Sequence, residues 1–275
     1  MIYSPTQRCF EIVELLAAES AGLPLTTVGR SLGLPKSATH RLLLTLVDCG
    51  YAVQDEQTQR YRLTFKLATL GFRLLAASTL QDVCQPVLDR IAQASGDLAR
   101  LAVVDGEGLR WVAKAQGAHS GLRYDPEMGF EVALNATGVG RLWLSSLPEA
   151  EAIAILDRYE AHATRPLGPN APRSRTALLG KIRDVRRRAY AEAIEEVVPG
   201  VAAIGAAIRV SAGTGTAVVG TVSITGPLSR FAVKRRPVLG RLCVAAATEL
   251  AELWPVRQFQ RPGATEGGYR DVHAA

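Results

Sequence analysis

The stretch SLGLPKSATHRLLLTLVDCGY, residues 31–51, places Gly33 and Pro35 between two runs whose apolar residues recur at helical spacing. Proline lacks a backbone N–H and fixes φ, so it opens or ends a helix and is unwelcome in its interior. Gly33 can take the left-handed conformation that closes a preceding helix. The stretch therefore reads as helix, turn, helix. The first helix spans about Leu25 to Leu32, with Leu25, Val28 and Leu32 on one face and Thr26 or Thr27 as its cap. In the second, Ala38, Leu42 and Leu46 form one stripe with Leu43 beside it, while Ser37, His40, Arg41 and Leu44 lie opposite.

Taken alone, that polar side is equally a solvated helix face or a surface built for phosphates and base edges. Its neighbours decide the matter. Upstream, Cys9 to Ala18 reads as a third helix with Phe10, Val13, Leu16 and Ala17 inward and Glu14 on the other side. Downstream, Tyr51-Ala52-Val53, the polar turn QDEQTQ and Tyr61-Arg62-Leu63 read as a β-hairpin, or wing. Three helices and a wing make a winged helix-turn-helix, whose second turn helix enters the major groove of double-stranded DNA. Lys36, Ser37, Thr39, His40 and Arg41 are the candidate contacts on that helix. Gln59 and Arg60 in the wing are placed to reach flanking backbone or minor groove.

GLPKSATHRLLLTL, followed by GY and a hairpin ending RYRL, resembles the DNA-binding half of the IclR family of bacterial transcriptional regulators. LNATGVGRLWLSSL resembles the small-residue stretch that opens a helix in that family's effector domain, and IRDVRRRAYAEAIEEVVPGV its helix followed by a Glu-Glu-x-x-Pro-Gly loop. GTVSITGP resembles a strand ending in Gly-Pro. These motifs, in the family's order, cover most of residues 5–255. The resemblance implies regulation of transcription, with an operator bound by paired winged helices and a small-molecule effector that shifts the DNA-binding modules.

The remaining pattern agrees with an α+β chain. Phe65, Leu67, Leu70, Gly71 and Leu74 sketch a linker helix, which in the family connects the domains and joins dimer contacts; packing on the winged helix alone would explain it as well. Val83, Val87, Leu88 and Ile91 read as a helix, and Leu98–Val104 and Leu109–Ala113 as strands around Asp105-Gly106-Glu107-Gly108. Residues 148–159 and 175–194 read as helices, the second with a basic face that includes Arg186, Arg187 and Arg188. Val201–Val210 and Ala217–Thr225 pair across SAGTG, and a last helix runs from about Pro237 to Leu253 with Leu239, Leu242, Ala246 and Leu250 on one face. Helices on an antiparallel sheet make an α+β domain, as in the GAF/PAS-like effector domain the resemblance implies. The expected organisation is a winged helix-turn-helix over 1–63, a linker helix over 64–79 and an effector-binding domain over 80–256. A tail, 257–275, has too little apolar content to pack and is expected to be disordered.

Composition narrows the function. A 275-residue chain with 48% hydrophobic residues has material for a small domain and one of ordinary size. The net charge of +6 suits DNA, yet residues 1–75 hold eight Lys or Arg against six Asp or Glu, so placement and not total charge carries the argument. Cys9, Cys49, Cys84 and Cys243 show no paired spacing and sit among apolar residues, as buried free thiols in the cytoplasm would. No signal pattern and no apolar run near ~18 residues suggests secretion or a membrane span. His40, His119, His162 and His273 lack metal-ligand spacing, and no GxSxG elbow or P-loop is present. No cofactor, metal or enzymatic activity is expected; adjacent Glu195 and Glu196 read as loop residues, which the resemblance places beside the effector pocket.

The candidate ligand site is Asn135-Ala136-Thr137-Gly138-Val139-Gly140-Arg141. Glycines at a helix start admit a ligand close to the backbone, and free first-turn N–H groups favour an anion. A tight strand-to-helix turn would also use them; the family's effector-contacting stretch favours the functional reading. On the same resemblance, Ala193 stands where the family often has an acid and Ala203 where it often has Cys. Asn135 replaces a His and Arg141 a Lys. The pocket is therefore expected to be less polar than usual, with Ser223 and Thr225 as hydroxyl donors unless they are ordinary strand residues. The expected effector is a small carboxylate, aromatic in preference to short aliphatic, acting on a dimer or tetramer of the chain at a palindromic operator. An effectorless DNA-binding scaffold and an enzyme fused to a DNA-binding domain are the other two classes.

Overall fold

The computed structural model describes residues 4–78, 80–126, 128, 131–162, 167–212 and 215–254, so the expectation for the tail lies outside the described residues. The chain divides into two compact units, one ending at Ala77 and one beginning at Ser78.

In the first unit, α1 (Pro5–Ala17) opens with Ser4 as cap, its hydroxyl accepting from the Thr6 N–H, and with Pro5 in the first turn, where a missing N–H costs nothing. The inward face keeps the expected Leu16 and the half-buried Val13 but takes Ile12 in place of Phe10 and Ala17. Ile12 and Leu16 are buried, whereas Phe10 is 65% exposed and Ala17 is exposed. Ile12 and Leu16 are one turn apart and share a core with Leu43 and Leu46, which turns the buried face about a quarter-turn from one centred between Phe10, Val13, Leu16 and Ala17.

The two-residue strand β1 (Leu23–Pro24) leads into α2 (Leu25–Leu32), where Pro24 holds the cap position; Thr26 and Thr27 lie inside the helix and make no cap. Gly33 closes it at φ 62°. Pro35 then precedes α3 (Lys36–Asp48). The wing strands β2 (Ala52–Gln54) and β3 (Arg60–Leu63) pair antiparallel, and β1 adds to the far edge of β3. Helix α4 (Lys66–Ser78) follows.

The second unit is an antiparallel sheet in the order β5-β4-β8-β7-β6, formed by β4 (Leu98–Asp105), β5 (Gly108–Gln116), β6 (Tyr190–Ile194), β7 (Val201–Ala212) and β8 (Gly215–Pro227). Helices α5 (Leu80–Ser95) and α9 (Arg236–Leu253) cover one face, burying Leu88, Ile91, Leu239 and Leu250 against Leu101, Ile204 and Ile224. Helix α6 (Gly138–Ser145) covers the other, with α7 (Glu149–His162) and α8 (Arg175–Val185) around it.

The helix expected over 175–194 is therefore a helix and a strand. It stops at Val185, the three arginines form the turn, and residues 190–194 alternate inward and outward as the edge strand β6. Ala191 and Ala193 are its buried positions. Cysteines depart from expectation too. Cys84 and Cys243 are buried and burial pushes both thiols up to about 12, but Cys9 is half-buried and Cys49, just past the end of α3, is exposed. Among the described residues no helix is long and apolar enough to cross a membrane.

Candidate functional site

Lys36, Ser37, His40 and Arg41 are all exposed along one side of α3. No side chain caps the first turn of this helix, which leaves its leading N–H groups for an incoming phosphate. Thr39 is the exception. It is 0% exposed, its hydroxyl donates to the Pro35 carbonyl at 3.0 Å, and a Cβ added to Gly29 would lie 3.0 Å from that oxygen. Thr39 shares the core stripe with Leu43 and Leu46 and sets the close crossing of α2 on α3; it is not a DNA contact.

The wing is braced from within. Asp55 accepts from the N–H and hydroxyl of Thr58 and from the N–H of Gln57, and these bonds hold its carboxyl below the usual carboxylate range. Gln59, at φ 56°, accepts from Gln54 at 2.9 Å and donates to the Glu56 carbonyl at 2.8 Å. Arg60 donates to the Gly22 carbonyl at 3.0 Å. Both remain exposed, but both build the wing. Arg62, two residues along β3 on the same outward side, is exposed, and among the described residues its guanidinium makes no hydrogen bond or ion pair. Alternation around buried Tyr61 was the signal that would have found it.

A second site lies beneath the start of α6. Of the residues expected there, Thr137, Gly138, Val139, Ala203 and Ser223 line a cavity; Asn135, Gly140, Ala193 and Thr225 do not. Arg100, Trp111, Ile204 and Gly205 complete the lining. The cavity is small, about 20 Å³ or room for about one ordered water, so an organic acid seats there only as the lining opens.

Sheet register explains the convergence. Arg100 on β4 pairs with Ser223 on β8, and Ser223 pairs with Gly205 on β7, which makes one row across three strands. A Cβ on Gly205 would come within 2.5 Å of a Val139 methyl, so glycine is what lets α6 settle on the row. Thr137 caps α6, its hydroxyl accepting from the Gly140 N–H at 3.0 Å and donating to the Ala133 carbonyl at 2.7 Å. Gly140 is structural: a Cβ there would lie 2.7 Å from the Leu134 Cα.

The cavity is more polar than expected. The Arg100 guanidinium stacks on Trp111 at 3.8 Å from the ring centroid, and burial pushes its pKa down to about 10. Among the described residues its buried Nε has no acceptor, and the hydroxyls of Thr221, Ser223 and Thr225 and the Asn135 Oδ1 have no partner either. Ala193 and Ala203 are apolar, but Arg100 is a charged residue inside the otherwise apolar strand LARLAVV.

Residues 72–252 match the description of the bacterial transcriptional regulator IclR C-terminal domain, and residues 5–56 match the IclR helix-turn-helix domain. The chain belongs to the IclR family of bacterial transcriptional regulators. It is 28% identical to the HTH-type transcriptional regulator BhcR of Paracoccus denitrificans over 89% of this chain and 85% of that protein. It is 26% identical to the transcriptional repressor IclR of Escherichia coli strain K12 over 88% and 87% of the two chains. An IclR homolog from Microbacterium hydrocarbonoxydans, solved in complex with 4-hydroxybenzoate, shares the fold with a TM-score of 0.73 at 20% identity, covering 92% of this chain and 100% of that one.

Within this IclR regulator, Arg141 is a strut. It is 2% exposed and forks onto Glu196, itself 5% exposed, at 2.6 and 3.2 Å, with a third bond to the Glu192 carbonyl at 2.7 Å. Lys181 reaches the same carboxylate at 2.9 Å. Glu195 instead accepts from the Gly200 N–H at 2.9 Å. The two acids are committed to separate structural partners and do not face each other as an acid–base pair. Arg186, at the turn after α8, donates to the Ser145 and Leu147 carbonyls, each at 2.9 Å. It thereby neutralises the negative end of α6, while the positive end faces the cavity.

Proposed function

We infer that this IclR-family regulator binds its operator as a homo-oligomer and that a small organic acid seated beneath α6 changes operator affinity. Lys36, Ser37, His40 and Arg41 carry the groove-facing contacts, with the wing on flanking backbone. The setting is the cytoplasm. The observation that carries the effector reading is the cavity itself: the buried Arg100 Nε and the Ser223 hydroxyl, both without a partner among the described residues, converge with a helix N-terminus on one space. A scaffold without an effector would gain nothing from leaving these groups unsatisfied, since each costs about 1–3 kcal/mol when buried without a partner. The 4-hydroxybenzoate held by the Microbacterium homolog supports an aromatic acid as the ligand.

The test is a thermal-shift panel of aromatic and short aliphatic acids, followed by operator titration with each binder. A ligand at a hundred times its Kd stabilises the folded protein by ~2.7 kcal/mol. Binding accompanied by altered operator affinity is the expected result. Full operator affinity with no response to any small molecule would leave the scaffold reading in its place.

A further inference from the structure

We propose that Arg100, with Ser223, is the carboxylate anchor that sets effector specificity in this chain, and that it selects an organic monocarboxylate with an apolar body. This rests on the effector reading above and names the residue and the charge state it selects.

The Arg100 Cζ lies 3.8 Å over the centre of the Trp111 ring, and the N–H groups of a guanidinium project in its own plane. A carboxylate binds arginine in that plane, side-on, so the stack and the ligand do not compete. Trp111 instead holds the fork still. Nε is buried without an acceptor, and no carboxylate among the described residues pairs with this cation. Ser223, 2% exposed and also unpartnered, is its register neighbour across β4 and β8, on the same face of the sheet.

The first turn of α6 approaches from the other side. Thr137 uses its hydroxyl on Gly140, which leaves the Gly138 and Val139 N–H groups at the positive end of the helix. A single negative charge would thus meet a fixed guanidinium, a hydroxyl donor and a helix N-terminus. Beyond that cluster the lining contributed by Val139, Ala203 and Ile204 is apolar. A second carboxylate on the ligand would be desolvated there without a partner, so dicarboxylates are rejected.

Calorimetric titration of the full chain with benzoate, phenylacetate and 4-hydroxybenzoate, each beside its own amide and beside terephthalate, tests this. The acids should bind the native protein more tightly than their amides, and terephthalate should bind least. Arg100→Gln should weaken the acids roughly 10- to 100-fold and leave the amides unchanged, the loss expected for a charge-assisted hydrogen bond. Arg100→Lys, which keeps the charge and loses the planar fork, should recover only part of that loss. Ser223→Ala should weaken the acids by a smaller factor.

Equal binding of acid and amide by the native protein, which needs no variant to fold, overturns the anchor. So does benzoate binding undiminished in Arg100→Gln. Operator affinity measured on the same samples separates the two readings. If an amide shifts it as its acid does, the anchor fails and the effector reading stands; if nothing binds and operator affinity never changes, both fail.

Discussion

His40 and Arg41 follow Thr39 on α3, and the 100° step per residue separates DNA contact from helix packing. Arg41 is exposed and Thr39 is fully enclosed. Arg41→Ala is expected to cost about 1–3 kcal/mol in operator binding, with relaxed preference if the contact is to a base. Thr39→Val, by contrast, removes one hydrogen bond inside the helix, worth about 1 kcal/mol of stability, and leaves operator affinity unchanged. Paired anisotropy titrations and urea melts on the two variants check the assignment. An operator defect in Thr39→Val without a stability defect would reverse it. In the wing the same distinction moves the outward cation to Arg62, because Arg60 is engaged with the Gly22 carbonyl.

At the scale of elements, α6 is the centre of the effector domain. Arg141 and Glu196 are both buried and tie it to the loop after β6, with Lys181 bringing in α8. Arg141→Met leaves the buried Glu196 carboxylate to Lys181 alone and the Glu192 carbonyl without this donor, so it is expected to cost about 3 kcal/mol in a urea melt, the low end for a broken buried pair. Replacing Glu196 as well, with Leu, should recover most of that loss. If the double variant is no more stable than the single, the pair contributes more than mutual neutralisation. The residues around this loop also misled the reading of the sequence. YAEAI is as good a helix segment as a strand by propensity, and its alanines show no strong period. Pairing with β7 decides it, through a register from Tyr190 opposite Ala206 to Ile194 opposite Ala202.

For the whole molecule, one recognition helix reads too few base pairs to define a genomic site. The chain is therefore expected to bind as a dimer or higher oligomer, with half-sites one helical turn apart or a multiple of that spacing. Light scattering with operator footprinting checks this, and a monomer with full operator affinity would contradict it. Affinity should fall steeply with salt, because the cations of α3 and the wing meet phosphates.

The helix-turn-helix was legible because each of its signals is local. Gly33 and Pro35 punctuate the chain by their own backbone chemistry, and leucines at helical spacing mark a buried face whatever lies opposite. Strands β4, β5, β7 and β8 and the glycine-rich start of α6 were legible for the same reason. The cavity was not. Arg100, Ser223 and Gly205 are far apart along the chain and become neighbours only through the β4-β8-β7 register. Whether Arg100 would find a carboxylate or stay unpaired depended on which side chains the fold brought within reach, and Trp111 came where no acid did. Thr39 and Arg141 have the same history. Each is a polar residue in a recognisable motif, and only packing against Gly29 in one case and Glu196 in the other assigned it to the interior, since burial is a property of what lies opposite and not of the residue itself.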